Sequence, residues 1–157
     1  MANFFKASEI ANTACEIERK GQEFYRKAAE AANDEESRKF FAFFSVEETR
    51  HEKIFQDMVK RLGGVELPTD SNDEEYALYI KSLVDSHSIF DSETLASLEA
   101  EQLDVKKAVR KAMSFEKDTI VFFVEMKRLV PESEQKFIDE CIEEERKHLR
   151  MLAKWLI

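Results

Sequence analysis

Glu48-Thr49-Arg50-His51 recurs ninety-seven positions later as Glu145-Arg146-Lys147-His148. In an α-helix, residues three apart are neighbours on one face, so each copy sets a carboxylate beside an imidazole. Reading outward, both copies sit inside an apolar stripe with steps of three and four, the mark of one buried helical face. The first stripe is Phe41, Phe44, Glu48, His51, Phe55, Met58 and Leu62. The second is Ile138, Cys141, Glu145, His148, Leu152 and Trp155.

Two further stripes precede these. Ala11, Ala14, Glu18, Gly21, Tyr25, Ala28 and Ala32 form one; Val109, Ala112, Glu116, Thr119, Phe123, Met126 and Val130 form the other. Each is apolar or small except for one glutamate near its middle. The halves of the chain repeat: Phe24-Tyr25 answers Phe122-Phe123, and Lys39-Phe40 answers Lys136-Phe137. The pattern predicts two copies of a helical hairpin joined by a crossover of about 40 residues, a four-helix bundle.

Boundary signals agree with that plan. Ser8 is read as the cap of a first helix reaching about Ala32. Asn33-Asp34 breaks and restarts the pattern, and the second helix runs to Leu62 before Gly63-Gly64 and Pro68. Between Val65 and Leu103, Thr69-Asp70-Ser71-Asn72 reads as loop. Tyr76, Tyr79, Ile80 and Leu83 suggest a short amphipathic helix, and Asp91 or Ser92 a further capped turn. Asp104 caps a third long helix ending before Pro131, and the fourth runs from Glu132 to the C-terminus.

In an antiparallel hairpin, residues equidistant from the turn lie at one height. The midpoint between Glu18 and the Glu48/His51 pair falls near residue 34, where the first turn is read. That between Glu116 and the Glu145/His148 pair falls at Pro131, the second turn. Within each hairpin, therefore, the glutamates and the histidine face each other at one level. Four buried carboxylates repel one another and become partly protonated unless cations neutralise them. Carboxylates with imidazoles suit iron or manganese, and a set of four Glu and two His matches a bundle-core di-metal carboxylate site. Zinc favours fewer ligands.

The pattern Glu-x6-Tyr, Glu-x-x-His, Glu, Glu-x-x-His resembles the ferritin-like di-iron proteins. Glu18-Arg-Lys-Gly-Gln-Glu-Phe-Tyr25 and Glu47-Glu48-Thr-Arg-His51-Glu52 are most similar to the rubrerythrin-related branch. The resemblance covers both hairpins, a single ferritin-like domain over residues 1–157. It implies that Glu18, Glu48, His51, Glu116, Glu145 and His148 hold two iron ions, with Glu48 and Glu145 bridging and Tyr25 orienting a ligand carboxylate. It further implies reduction of hydrogen peroxide or oxygen. Ferrous-iron oxidation for storage and a manganese catalase-like reaction are the alternatives, and a bundle with a vestigial or structural site is the non-enzymatic one. Three departures are visible. Thr119 stands where rubrerythrins carry an extra glutamate, so a redox-linked iron movement that depends on that carboxylate lacks its ligand. Phe123 replaces the second tyrosine of the repeat, making the two halves unequal. No Cys-x-x-Cys pair of the rubredoxin type is present, so electrons are expected from an external donor protein such as a rubredoxin.

Composition sets the remaining expectations. A net charge of −9 argues against nucleic acid, and no basic stripe or long apolar run points to a membrane. Cys15 and Cys141 are read as buried free thiols, and a reducing cytoplasm follows as the default. Phe40, Phe41, Phe43, Phe44 and Phe55 are read as core or dimer surface, with a homodimer suggested by the resemblance. His87, alone in the crossover, is read as solvent-facing. Glu143-Glu144-Glu145 is read as a solvated face with only Glu145 in the stripe frame.

Overall fold

Three of the four long helices start where a side chain supplies a partner for a free N–H group. The computed structural model describes residues 6–68, 74–99 and 101–157. Helix α1 (Ala7–Ala31) starts two residues earlier than the Ser8 cap predicts. Lys6 holds the cap position in extended backbone, and its N–H donates to Glu9 Oε2 at 2.9 Å, so the acidic residue in the first turn does the capping. Asp34 caps α2 (Glu35–Leu62) by accepting the Ser37 N–H at 2.8 Å. Gly63 ends α2 at φ +48°, in the left-handed region that glycine enters without steric cost. Asp104 caps α5 (Val105–Met126) through the Lys107 N–H. A 3₁₀ turn (Lys127–Leu129) leads to Pro131 and α6 (Glu132–Lys154).

The α1–α2 hairpin packs against the α5–α6 hairpin, with α1 beside α5 and α2 beside α6. This is the expected all-α, ferritin-like four-helix arrangement. The crossover carries α3 (Glu74–Asp85), a 3₁₀ turn (Ser88–Phe90) and α4 (Ser92–Ala96), the last capped by Asp91. Helix α3 lies on α5, and the Ser88–Phe90 turn lies against α1 and α5. Of the four residues predicting α3, only Ile80 is buried, while Tyr79 is exposed. The loop read at Thr69-Asp70-Ser71-Asn72 lies outside the described residues, as do residues 1–5.

Every predicted stripe residue is buried except Trp155, which is half-buried. Burying a large apolar side chain stabilises the fold by about 1.5–3 kcal/mol. The apolar groups do not form one continuous core. Ile10, Ala14, Phe55, Met58, Phe122, Phe123, Met126 and Ile138 belong to one cluster. Phe24, Tyr25, Phe41, Phe44, Ala112, Phe115 and Leu152 belong to another. On all four long helices the residues between the two clusters are those singled out by sequence: Glu18 and Gly21, Glu48 and His51, Glu116 and Thr119, Glu145 and His148. The bundle is two apolar cores separated by a polar layer.

Candidate metal centre

Helix spacing puts Glu18, His51 and Glu145 on the side of the layer toward Phe55 and Phe123. Glu48, Glu116 and His148 lie on the side toward Tyr25 and Phe44. All six are buried. Their ligating atoms form two groups, each within 4.8 Å: Glu18, Glu48, His51, Glu145, and Glu48, Glu116, Glu145, His148. Glu48 and Glu145 belong to both, the arrangement expected of bridging carboxylates. The His51 and His148 rings stack at 5.6 Å between centroids.

Each histidine turns Nδ1 inward. His51 Nδ1 lies 2.8 Å from Glu145 Oε1 and 3.5 Å from Glu18 Oε2. His148 Nδ1 lies 2.9 Å from Glu145 Oε2 and 3.5 Å from Glu48 Oε1. Burial works against the charged imidazoles, but the facing carboxylates outweigh it and raise both pKa values to about 9. Burial raises Glu18, Glu48 and Glu116 well above the usual carboxylate range, and the Glu145 charge adds to this. Glu145 goes the other way: burial opposes its charge, yet His148 and His51 together hold it ionised.

Tyr25 donates its hydroxyl proton to Glu116 Oε1 at 2.6 Å and stacks on Phe44 at 4.9 Å. Its position in the repeat is answered by Phe123, fully buried and without a hydroxyl.

Three residues were misread or missed from the sequence. His87 is not solvent-facing; it is 2% exposed. Its Nε2 lies 3.0 Å from Thr119 Oγ1, and its Nδ1 accepts the Ile89 N–H. Thr119 donates its own proton to the Phe115 carbonyl, so His87 is the donor of that pair. Burial lowers the His87 pKa to about 4, keeping it neutral. No sequence signal marked it, because its partner lies in another helix. Glu144, assigned to a solvated face, is only 27% exposed and meets His51 Nε2 at 2.6 Å. Glu47 lies 3.9 Å from His148 Nε2. The doublets Glu47-Glu48 and Glu144-Glu145 were the available signal: in each, the first glutamate faces the histidine of the opposite hairpin. Arg50 pairs with both outer carboxylates.

Cys15 and Cys141 are buried and free, and burial pushes Cys15 up to about 11. Among the described residues no helix is long and apolar enough to cross a membrane.

The layer fits a metal pair. Five buried atoms make no well-formed hydrogen bond: both oxygens of Glu18, Oε1 of Glu48, Nδ1 of His51 and Oε1 of Glu145, the last two facing each other at 2.8 Å. All five belong to residues of the two candidate ligand groups, and leaving a buried polar group unpaired costs about 1–3 kcal/mol. At Gly21 a Cβ would stand 3.1 Å from Glu48 Oε2, so the missing side chain leaves room for that carboxylate.

Comparison with known proteins agrees with this geometry. A crystal structure from Thermotoga maritima, of a protein provisionally described as ferritin-like and diiron-carboxylate, superposes with a TM-score of 0.73 at 28% identity, covering 99% of this chain and 97% of that one. No curated protein matches. The rubrerythrin family model matches residues 9–156. A match over nearly the whole length, on a fold of two ferritin-like hairpins, places this chain in the rubrerythrin family.

Proposed function

We propose that this protein is a di-iron oxidoreductase that reduces hydrogen peroxide, with oxygen as the slower oxidant. The observation that carries this reading is the polar layer itself: two overlapping ligand groups that share Glu48 and Glu145. When bound, two ferrous ions supply the two electrons that peroxide reduction needs. Glu18 and His51 would hold one ion and Glu116 and His148 the other, with Glu48 and Glu145 between them. Manganese suits the same donors.

The chain's own residues prepare the site. Tyr25 fixes the Glu116 carboxylate. Glu144 accepts a hydrogen bond from the outer Nε2–H of His51, leaving Nδ1 free to bind. Glu144 is also exposed enough to pass protons to water. The apolar clusters on either side keep solvent from the layer. No Cys-x-x-Cys pair exists in the sequence, so the electrons would come from a separate donor protein such as a rubredoxin. We assign the chain to the cytoplasm as a single-domain homodimer. Phe43, 44% exposed on α2 beside exposed Val46, supports a dimer surface there.

The test is to load metal-free protein with ferrous iron anaerobically, then mix it with peroxide or with oxygen and follow ferric absorbance. Two irons per chain and faster oxidation by peroxide are expected. A faster reaction with oxygen that continues beyond two irons per chain would instead mark a ferroxidase.

A further inference from the structure

The polar layer meets the surface differently on its two sides. On the α1/α5 side the crossover lies over it. The Ser88–Phe90 turn rests against both helices, and Asp118 holds that turn by accepting from the Ser88 N–H at 2.9 Å and its hydroxyl at 2.8 Å. His87 is buried there against Thr119. On the α2/α6 side the outer nitrogens of His51 and His148 face Glu47 and Glu144 instead. Each of these glutamates precedes a layer glutamate by one residue, a rotation of about 100° that carries it from the buried face to the rim.

Three observations point to a cation at this rim. Glu47, Glu144 and His51 bring ligand-type atoms within 4.8 Å of one another, a third such group beside the two of the layer. His51 belongs to this group and to an inner one, so the rim adjoins the centre directly. His148 is only 2% exposed, yet its outer Nε2 makes no hydrogen bond among the described residues; Glu47 Oε2 stands 3.9 Å away. Finally, a cation already sits there. Arg50, one turn on from Glu47, places Nη2 3.0 Å from Glu47 Oε2 and against Glu144 Oε2. Its side chain is 45% exposed, so it can turn into water without opening the core.

We propose that Glu47 and Glu144, between the outer nitrogens of His51 and His148, form a dock for a divalent cation on its way into the layer, with Arg50 as the gate. The guanidinium neutralises the two carboxylates while the dock is empty. It yields them to an arriving ion, whose double charge they attract more strongly. The proposal rests on the di-metal reading of the layer.

Cobalt(II) is the probe, because carboxylate and imidazole donors suit it and its visible absorbance reports binding. The metal-free full chain is mixed with cobalt in about 0.15 M salt, where a Debye length of about 8 Å screens remote charges. Loading rate is followed against cobalt concentration. The wild type is expected to saturate and to end at two ions per chain. Glu47→Gln should raise the half-saturating concentration by about 10-fold, the low end of what local charge does for a steered ion, and still end at two. Arg50→Gln should lower that concentration. Glu140→Gln removes the same charge one turn from Glu144 on α6, at an exposed position, and should leave it unchanged. A rate that never saturates in the wild type would overturn the proposal, as would unchanged half-saturation in Glu47→Gln or an equal shift in Glu140→Gln. Should Glu47→Gln not fold, Arg50→Gln decides: a lower half-saturating concentration supports the gate, and an unchanged or higher one refutes it. An end point below two ions on the wild type would refute the di-metal reading itself, whatever the rate.

Discussion

The two hairpins share a plan and differ in its filling. Each brings one glutamate and one Glu-x-x-His pair to the layer, and each sets an outer glutamate against the other's histidine. Around that common set, Tyr25 faces Phe123, Gly21 faces Thr119, and Phe44 faces Cys141. The support is also crossed: the second hairpin's Glu116 has a phenolic donor, while the first hairpin's His51 has the closer outer carboxylate, 2.6 Å against 3.9 Å for His148. The residues proposed to hold metal must satisfy the same chemistry in both halves. Their neighbours need only fill space and orient, so they have diverged, leaving two unequal ends on one symmetric centre.

Substitutions that ignore the symmetry should have the largest effect. Glu48 belongs to both ligand groups, so Glu48→Ala should abolish stoichiometric binding of both metals, measured as metal per chain after gel filtration. Glu116→Ala touches one group and should leave one metal bound. If two irons survive Glu48→Ala, the ligand assignment is wrong.

Phe44→Ala should lower stability by about 3–5 kcal/mol, because it opens a cavity beneath Tyr25 and His148. Its counterpart Cys141→Ala removes one sulfur atom and should cost much less. Chemical denaturation of the metal-free proteins measures both.

The pH response should be common to both halves. His51 and His148 have folded pKa values raised to about 9 from an ordinary 6.5. A raised pKa stabilises the metal-free fold fully below pH 6.5, and that contribution is lost as pH rises through 9. The raised Glu18, Glu48 and Glu116 act in the same direction. Depressed Glu145 favours the fold above the ordinary carboxylate range and is lost only in acid, so it does not reverse the trend. Thermal melting of metal-free protein should therefore fall from pH 6.5 to 9. Metal affinity should rise over that interval, since binding must displace those protons.

The smallest effect is expected at Gly21. Alanine there should gain about 0.5–1 kcal/mol from helix propensity, offset by crowding of Glu48. A higher melting temperature without metal, together with weaker metal binding, would show both terms; in the second hairpin Thr119→Ala should show neither.

Most of this was legible because burial along a helix follows a period of 3.6 residues. Phe41, Glu48 and His51 announce their face by spacing alone, and the turn midpoints fix their height. What the spacing does not carry is contact between helices far apart in sequence. His87 meets Thr119, and Glu144 meets His51, through packing that no local pattern records. The start of α1 is a subtler case. Ser8 has the preferred cap chemistry, but the Glu9 carboxylate reaching the Lys6 N–H, with the Ala7 N–H bound to the Val65 carbonyl, moved the boundary back.

The polar layer also governs how the molecule comes apart. A band of ionisable groups divides the apolar interior, so the metal-free chain has two hydrophobic nuclei, each spanning all four long helices. Amides near Phe55 and those near Phe44 can then exchange with solvent through separate openings, each ending at the layer. A pair of cations bound by all four helices would rivet the two nuclei into one cooperative unit. Loading the site would then slow exchange at both ends of the bundle together.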